Sequence, residues 1–141
     1  MTGTLRRGAT SGFLAGLLLG ILFFVDYGPG DSLLKAASWF GLAQSGGAKW
    51  FGFLILLLLG GFFGLLFGVL HHKRTIHLGR SLIGGLAMGF VWWVSIVLLL
   101  GSGIHHVKLD LGSFLYSFLM LLLYGILLGS LFFQRSAVQG V

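Results

Sequence analysis

The residues best able to carry chemistry in this 141-residue chain are five histidines in two groups, His71, His72 and His77, then His105 and His106. Neutral imidazole is the commonest metal ligand, so a metal or haem site is the first chemistry to weigh. Axial haem ligation needs histidines that project into a bundle from two helices at similar depth. These histidines sit instead at or beyond the ends of apolar runs. His72 and His77 could share a metal only if Lys73-Arg74-Thr75-Ile76 folds back, and its two cations oppose that. No third ligand completes a zinc spacing. His72, His77, His105 and His106 are therefore weak metal candidates, and contact with headgroups and water accounts for them. The expectation is no resident metal and no cofactor.

Trp92 and Trp93 are the second unusual pair, because they fall near the middle of an apolar run. Interfacial tryptophans form belts at headgroup level, the position Trp50 occupies. Adjacent helical residues point about 100° apart, so one indole is expected to face a neighbouring helix and the other lipid. Packing accounts for the pair; the alternative is that both are possible ligand-facing residues, for a flat quinone, a pigment or a lipid tail. A buried indole also requires an acceptor for its N–H.

Little other chemistry is available. Cysteine is absent, which removes disulfides and thiol nucleophiles. No carboxylate pair, nucleophile with a base, or phosphate loop is present, so no enzymatic activity is expected and no catalytic residue is assigned. Asp26 and Lys49 lie at the ends of the first two apolar runs, where a surface ion pair explains them. Ionisable residues within the membrane, the usual mark of ion or charged-solute transport, are missing from all four runs.

The elements that position these residues are themselves plain. Hydrophobic residues make up 57% of the chain and charged residues 9%, against about 25% charged in soluble domains. Four apolar runs, Gly8–Val25, Trp50–Leu70, Ser81–Leu100 and Ser113–Phe133, are each near the ~20 residues that cross a bilayer, the first being short enough to borrow flanking residues. The fold expected is an all-α integral membrane protein with a single domain over residues 1–141. Arg6 and Arg7 precede the first run as in a signal peptide, but no small-x-small cleavage site follows, so a retained helix is expected.

Charge orients the spans. With the amino terminus cytoplasmic, Arg6, Arg7, Lys73, Arg74, Arg80 and Arg135 lie inside, against Lys35, Lys49 and Lys108 outside. That obeys the positive-inside rule. Asp26, Asp31 and Asp110 all fall outside, so the net charge of +6 belongs to the inner face. The expected location is the plasma (inner) membrane, multi-pass, with both termini cytoplasmic. The expected partners are the bilayer itself, anionic headgroups at the cytoplasmic face, and other membrane subunits or a second copy. Nucleic acid is excluded, since the basic residues sit at helix ends without aromatic interleaving.

Glycines at four-residue spacing run through every span. They are Gly8, Gly12, Gly16 and Gly20, then Gly60, Gly64 and Gly68, then Gly85 and Gly89 after Ser81, then Gly125 and Gly129. Residues four apart share a helix face, and a face without side-chain bulk lets two backbones approach closely in lipid. The halves also match in register. Arg7, Gly12 and Gly16 align with Arg80, Gly85 and Gly89, and Gly47, Phe51, Phe53, Gly60 and Gly64 align with Gly112, Tyr116, Phe118, Gly125 and Gly129. This predicts two helical hairpins of the same orientation, residues 7–70 and 80–133, related by a pseudo-two-fold along the membrane normal.

The first outer loop carries the extra residues. Gly28-Pro29-Gly30 is a turn, and Asp31 or Ser32 caps a short amphipathic interfacial helix that Gly41 stops. By depth, the ladders tighten the cytoplasmic half, while Phe23, Phe24, Phe51, Phe53, Trp92, Trp93, Phe114, Tyr116 and Phe118 widen the outer half. The function expected is a small non-enzymatic accessory, assembly or scaffold subunit; the first helix offers the longest ladder, and a ladder not consumed within the bundle would dock a partner helix. The alternatives are a channel or carrier for a neutral or hydrophobic substance, and an electron-transfer subunit holding haem, pigment or quinone.

Overall fold

The computed structural model describes residues 2–25, 37–38, 40–42, 47–71, 77–106, 108 and 110–138. Four long helices carry the fold: α1 (Thr2–Val25), α2 (Ala48–Leu70), α3 (Leu78–Trp92) with a π-helical continuation (Trp93–Ile104), and α4 (Leu111–Val138). No strand occurs among the described residues. Each span is long and apolar enough to cross a membrane, the architecture of a small multi-pass membrane protein.

Helix α1 starts at Thr2 and encloses Arg6 and Arg7, so the short first run does borrow its amino-terminal flank. At its other end α4 extends to Val138, beyond the apolar run. Both extensions keep their backbone hydrogen bonds within the helix as it leaves the apolar run.

Helix α1 packs chiefly on α2, and α3 chiefly on α4, with α1 against α4 as the main contact between the two pairs. Within each pair the helices run antiparallel. Gly8 faces Gly64 and Gly68, Gly12 faces Gly60 and Gly64, and Gly16 faces Leu56 and Gly60. In the second pair Gly85 faces Gly125 and Gly129, while Gly89 faces Leu121 and Gly125.

The buried face of α3 continues through the change of helix type at Trp93. Ser81, Gly85, Gly89, Trp93, Val97 and Gly101 are all buried and lie four residues apart. In an α-helix of 3.6 residues per turn, each such step overshoots a full turn by roughly 40°. A π-helix, with i→i+5 bonds, holds more residues per turn and rotates the stripe back. His105 N–H closes the segment on Leu100 O at 3.0 Å.

Of the expected outer helix, residues 31–36 and 39 lie outside the described residues, and so does the Gly28-Pro29-Gly30 turn. The residues at its expected stop are described. Gly41 has φ +73°, its N–H bonds Ser38 O at 3.0 Å, and Leu42 N–H bonds Ala37 O at 3.0 Å. Those are the two bonds of a Schellman cap, which needs the left-handed residue that glycine supplies. Ala37 is buried and Phe40 packs on the core, so this turn rests against the bundle.

Candidate functional site

The glycine ladders form two seams made of backbone. A Cβ added at Gly12 would overlap Gly60 O and lie 2.5 Å from Gly64 Cα; one added at Gly60 would lie 2.8 Å from Gly12 O. The pattern recurs at Gly8 with Gly64 O, Gly85 with Gly125 O, Gly89 with Leu121 O and Gly129 with Ser81 O. In each case the missing side chain is replaced by a carbonyl oxygen from across the seam. Such Cα–H···O contacts are worth about 0.5–1 kcal/mol each and recur where helices meet. Gly20 differs, because it meets the ring of Phe53 at 2.8 Å rather than backbone. The ladder of α1 is therefore occupied by α2 and is not free to dock a partner helix.

The second seam carries a buried polar tie. Ser81 Oγ donates to Gly129 O at 2.8 Å, fully buried. In the first seam the matching ladder position is Gly8. Ser11, next to Gly12, is buried with no hydrogen-bond partner for its hydroxyl.

Between the helix pairs lies a third seam, built of rings. Toward the ends nearest the 71–77 connection, Phe67 stacks on His71 at 4.1 Å between ring centroids and meets Phe132 edge-on at 5.0 Å. His71 Nδ1 donates to Phe67 O at 3.0 Å, and its ring occupies the space beside Gly84. In the middle, Trp92 stacks on Phe63 at 5.3 Å and meets Tyr124 edge-on at 4.5 Å. Toward the opposite ends, Phe23 of α1 stacks on Tyr116 of α4, while Trp93 meets Phe114 and Phe118 inside the second pair.

Two expectations change here. Aromatic bulk is not confined to the outer half, because Phe63, Phe67 and Phe132 fill the other half as fully. The backbones of α3 and α4 do diverge beyond Trp93, but the widened end is filled by the rings of Trp93, Phe114 and Phe118.

Nor does either tryptophan face lipid, since both are buried, Trp92 completely and Trp93 at 5% exposure. Helix α3 has α2 on one side and α4 on the other, so directions about 100° apart meet two neighbours. Trp93 Nε1 donates to Ser117 Oγ at 3.1 Å, and that hydroxyl donates to Phe114 O at 3.1 Å. Trp92 Nε1 is buried without an acceptor. The Trp92 ring is fully buried against the rings of Phe63 and Tyr124.

Tyr124 joins the ring seam to a glycine seam. Its hydroxyl donates to Gly60 O at 2.7 Å, across the boundary between the helix pairs. That carbonyl is the same one that Gly12 approaches. Sequence spacing did not single out Tyr124, and its partner is 64 residues away in the chain. The signal that was present is chemical: a tyrosine amid an apolar run requires an acceptor.

No family model, curated protein or solved structure matches this chain. The histidines must be judged on their positions alone. His77 is the extended residue that caps α3, and His105 and His106 follow the π-helical segment, with Gly41 beside the His105 ring. His72 and Asp26 lie outside the described residues. Among the described residues no three metal-ligating side chains come together.

One surface feature stands apart from the seams. On the outside of the first pair a groove of about 520 Å³ runs between α1 and α2, lined by Ala9, Thr10 and Phe13 and by Gly61, Phe62 and Leu65. Gly61 has nothing within 4 Å of where a Cβ would stand, in contrast to Gly60 beside it.

Proposed function

We propose that this protein is a small non-enzymatic subunit of a membrane assembly. It comprises two same-orientation hairpins, residues 7–70 and 80–133, with both termini on the cytoplasmic side of the plasma membrane. The observation that carries the proposal is the filling of the interior. Glycine faces close on each other within the pairs, and rings close the boundary between them. Most buried polar side chains that bond at all bond to backbone or to each other: Ser81 to Gly129, Tyr124 to Gly60, Trp93 to Ser117, Ser136 to Phe132.

A carrier needs space past the glycine seams, where one added Cβ already overlaps backbone, and this favours the structural role. The partner surface then lies outward. Large apolar side chains such as Trp50, Leu58, Ile83, Leu99 and Leu119 are each more than half exposed on the outside of the bundle. A helix face apolar all round is suited to lipid and to other spans alike.

Purification of the native complex in mild detergent tests the proposal. The expected result is a larger assembly containing at least one other membrane subunit in fixed ratio. A chain that migrates alone from native membranes, at every detergent mild enough to preserve known complexes, contradicts it.

A further inference from the structure

The groove on the outside of α1 and α2 is apolar, and a basic residue follows one turn beyond it on the same stripe of α1. Its floor is Gly61, which presents open space, and its rims are Phe13 and Phe62, 46% and 56% exposed. Thr10 contributes no free donor, since its hydroxyl donates to Arg6 O at 2.8 Å and Arg7 O at 3.1 Å. The lining therefore selects an apolar occupant. At one end of the groove, Arg6 continues the stripe of Ala9, Thr10 and Phe13, three, four and seven residues before them, and it is exposed. Helical side chains lean toward the amino terminus, so Arg6 leans away from the groove and toward the membrane surface. A long basic side chain at a helix end reaches the headgroup region in this way.

We infer that this groove is a binding site for one anionic phospholipid, with an acyl chain over Gly61 between Phe13 and Phe62, and the phosphate on Arg6. A partner helix fits the groove poorly. Close helix approach in lipid requires small residues on the facing stripe, and here bulky rings stand on both rims. A methylene chain is thin enough to lie on Gly61 between them. Apolar burial holds the chain, and the guanidinium selects the headgroup by pairing with phosphate oxygens. The site does not depend on the subunit role proposed above.

Purified protein, stripped of lipid, is offered phosphatidylglycerol and phosphatidylcholine with identical chains, and retained lipid is counted by native mass spectrometry. The expected result is one retained lipid with about five-fold preference for phosphatidylglycerol, the weight of one basic residue at the surface. Arg6→Gln should abolish the preference while retaining a lipid. Gly61→Leu should abolish retention, with circular dichroism and detergent migration unchanged because that position is open. A photoreactive residue at Phe13 should form a lipid adduct in membranes. Equal retention of both lipids by the wild-type protein, an unaltered preference in Arg6→Gln, or retention undiminished in Gly61→Leu overturns the inference. A protein adduct at Phe13 in place of lipid overturns it as well, and points to a neighbouring helix.

Discussion

Where α1 meets α2, no side chain separates the backbones, and a Cβ at Gly12 would overlap Gly60 and crowd Gly64. Where the two pairs meet, the opposite holds: Trp92 lies between the rings of Phe63 and Tyr124. The two kinds of contact fail differently. A backbone seam has no rotamers with which to absorb added volume, so one methyl group forces helices apart. A ring seam resists removal, because lost aromatic volume leaves a void that rigid neighbours fill poorly. Packing of both kinds replaces the hydrophobic drive that lipid does not supply. Gly60 belongs to both seams, since its carbonyl meets Gly12 on one side and the Tyr124 hydroxyl on the other.

The largest effects are expected in the glycine seams. Gly12→Leu and Gly85→Leu should each cost at least about 3 kcal/mol, the upper end of overpacking costs. In detergent this would appear as loss of the compact form with helical circular dichroism retained. A preserved compact form in either variant would break the distinction between the two kinds of seam. Next comes the ring seam, where Trp92→Ala should cost about 3 kcal/mol in reversible unfolding, the low end for a truncated buried aromatic.

Smaller effects sharpen the comparison. Tyr124→Phe keeps the ring and deletes the bond to Gly60 O, for a cost of about 0.6–1 kcal/mol. Smallest is the contrast between two buried serines. Ser81→Ala should lose about 0.6 kcal/mol with the bond to Gly129 O. Ser11→Ala should lose nothing measurable, because its hydroxyl has no partner. Equal losses from the two serines would show that the second seam is not tied by Ser81.

Much of this arrangement was legible in the sequence. The spans follow from uncharged apolar runs, and the glycine spacing marks faces that admit a second backbone. Those signals are local and periodic. What escaped is what depends on the third dimension. Nothing in the local pattern reveals that α3 lies between α2 and α4, and so both tryptophans are buried rather than one. The π-helical segment has no signal in the spacing, since α2 carries the same four-residue buried stripe from Ala48 to Gly68 as a plain α-helix. Phe67 and Phe132 read as ordinary apolar residues until their edge-on contact places them in one seam. Whether the ladder of α1 is consumed within the bundle was also out of reach, because spacing identifies a packing surface and not its occupant.

Adjacent glycines in α2 provide the most direct test. Gly60 lies in the seam, where a Cβ would come within 2.8 Å of Gly12 O and 2.9 Å of Gly16 Cα, whereas Gly61 faces open space. Alanine gains up to about 1 kcal/mol over glycine in helix propensity at either position. The measurement is the unfolding free energy of Gly60→Ala and Gly61→Ala in the same lipid-like medium. Gly60→Ala should be destabilised by about 1–3 kcal/mol, and Gly61→Ala should be neutral or slightly more stable. Equal shifts in the same direction would contradict the claim that backbone-on-backbone packing holds each helix pair together.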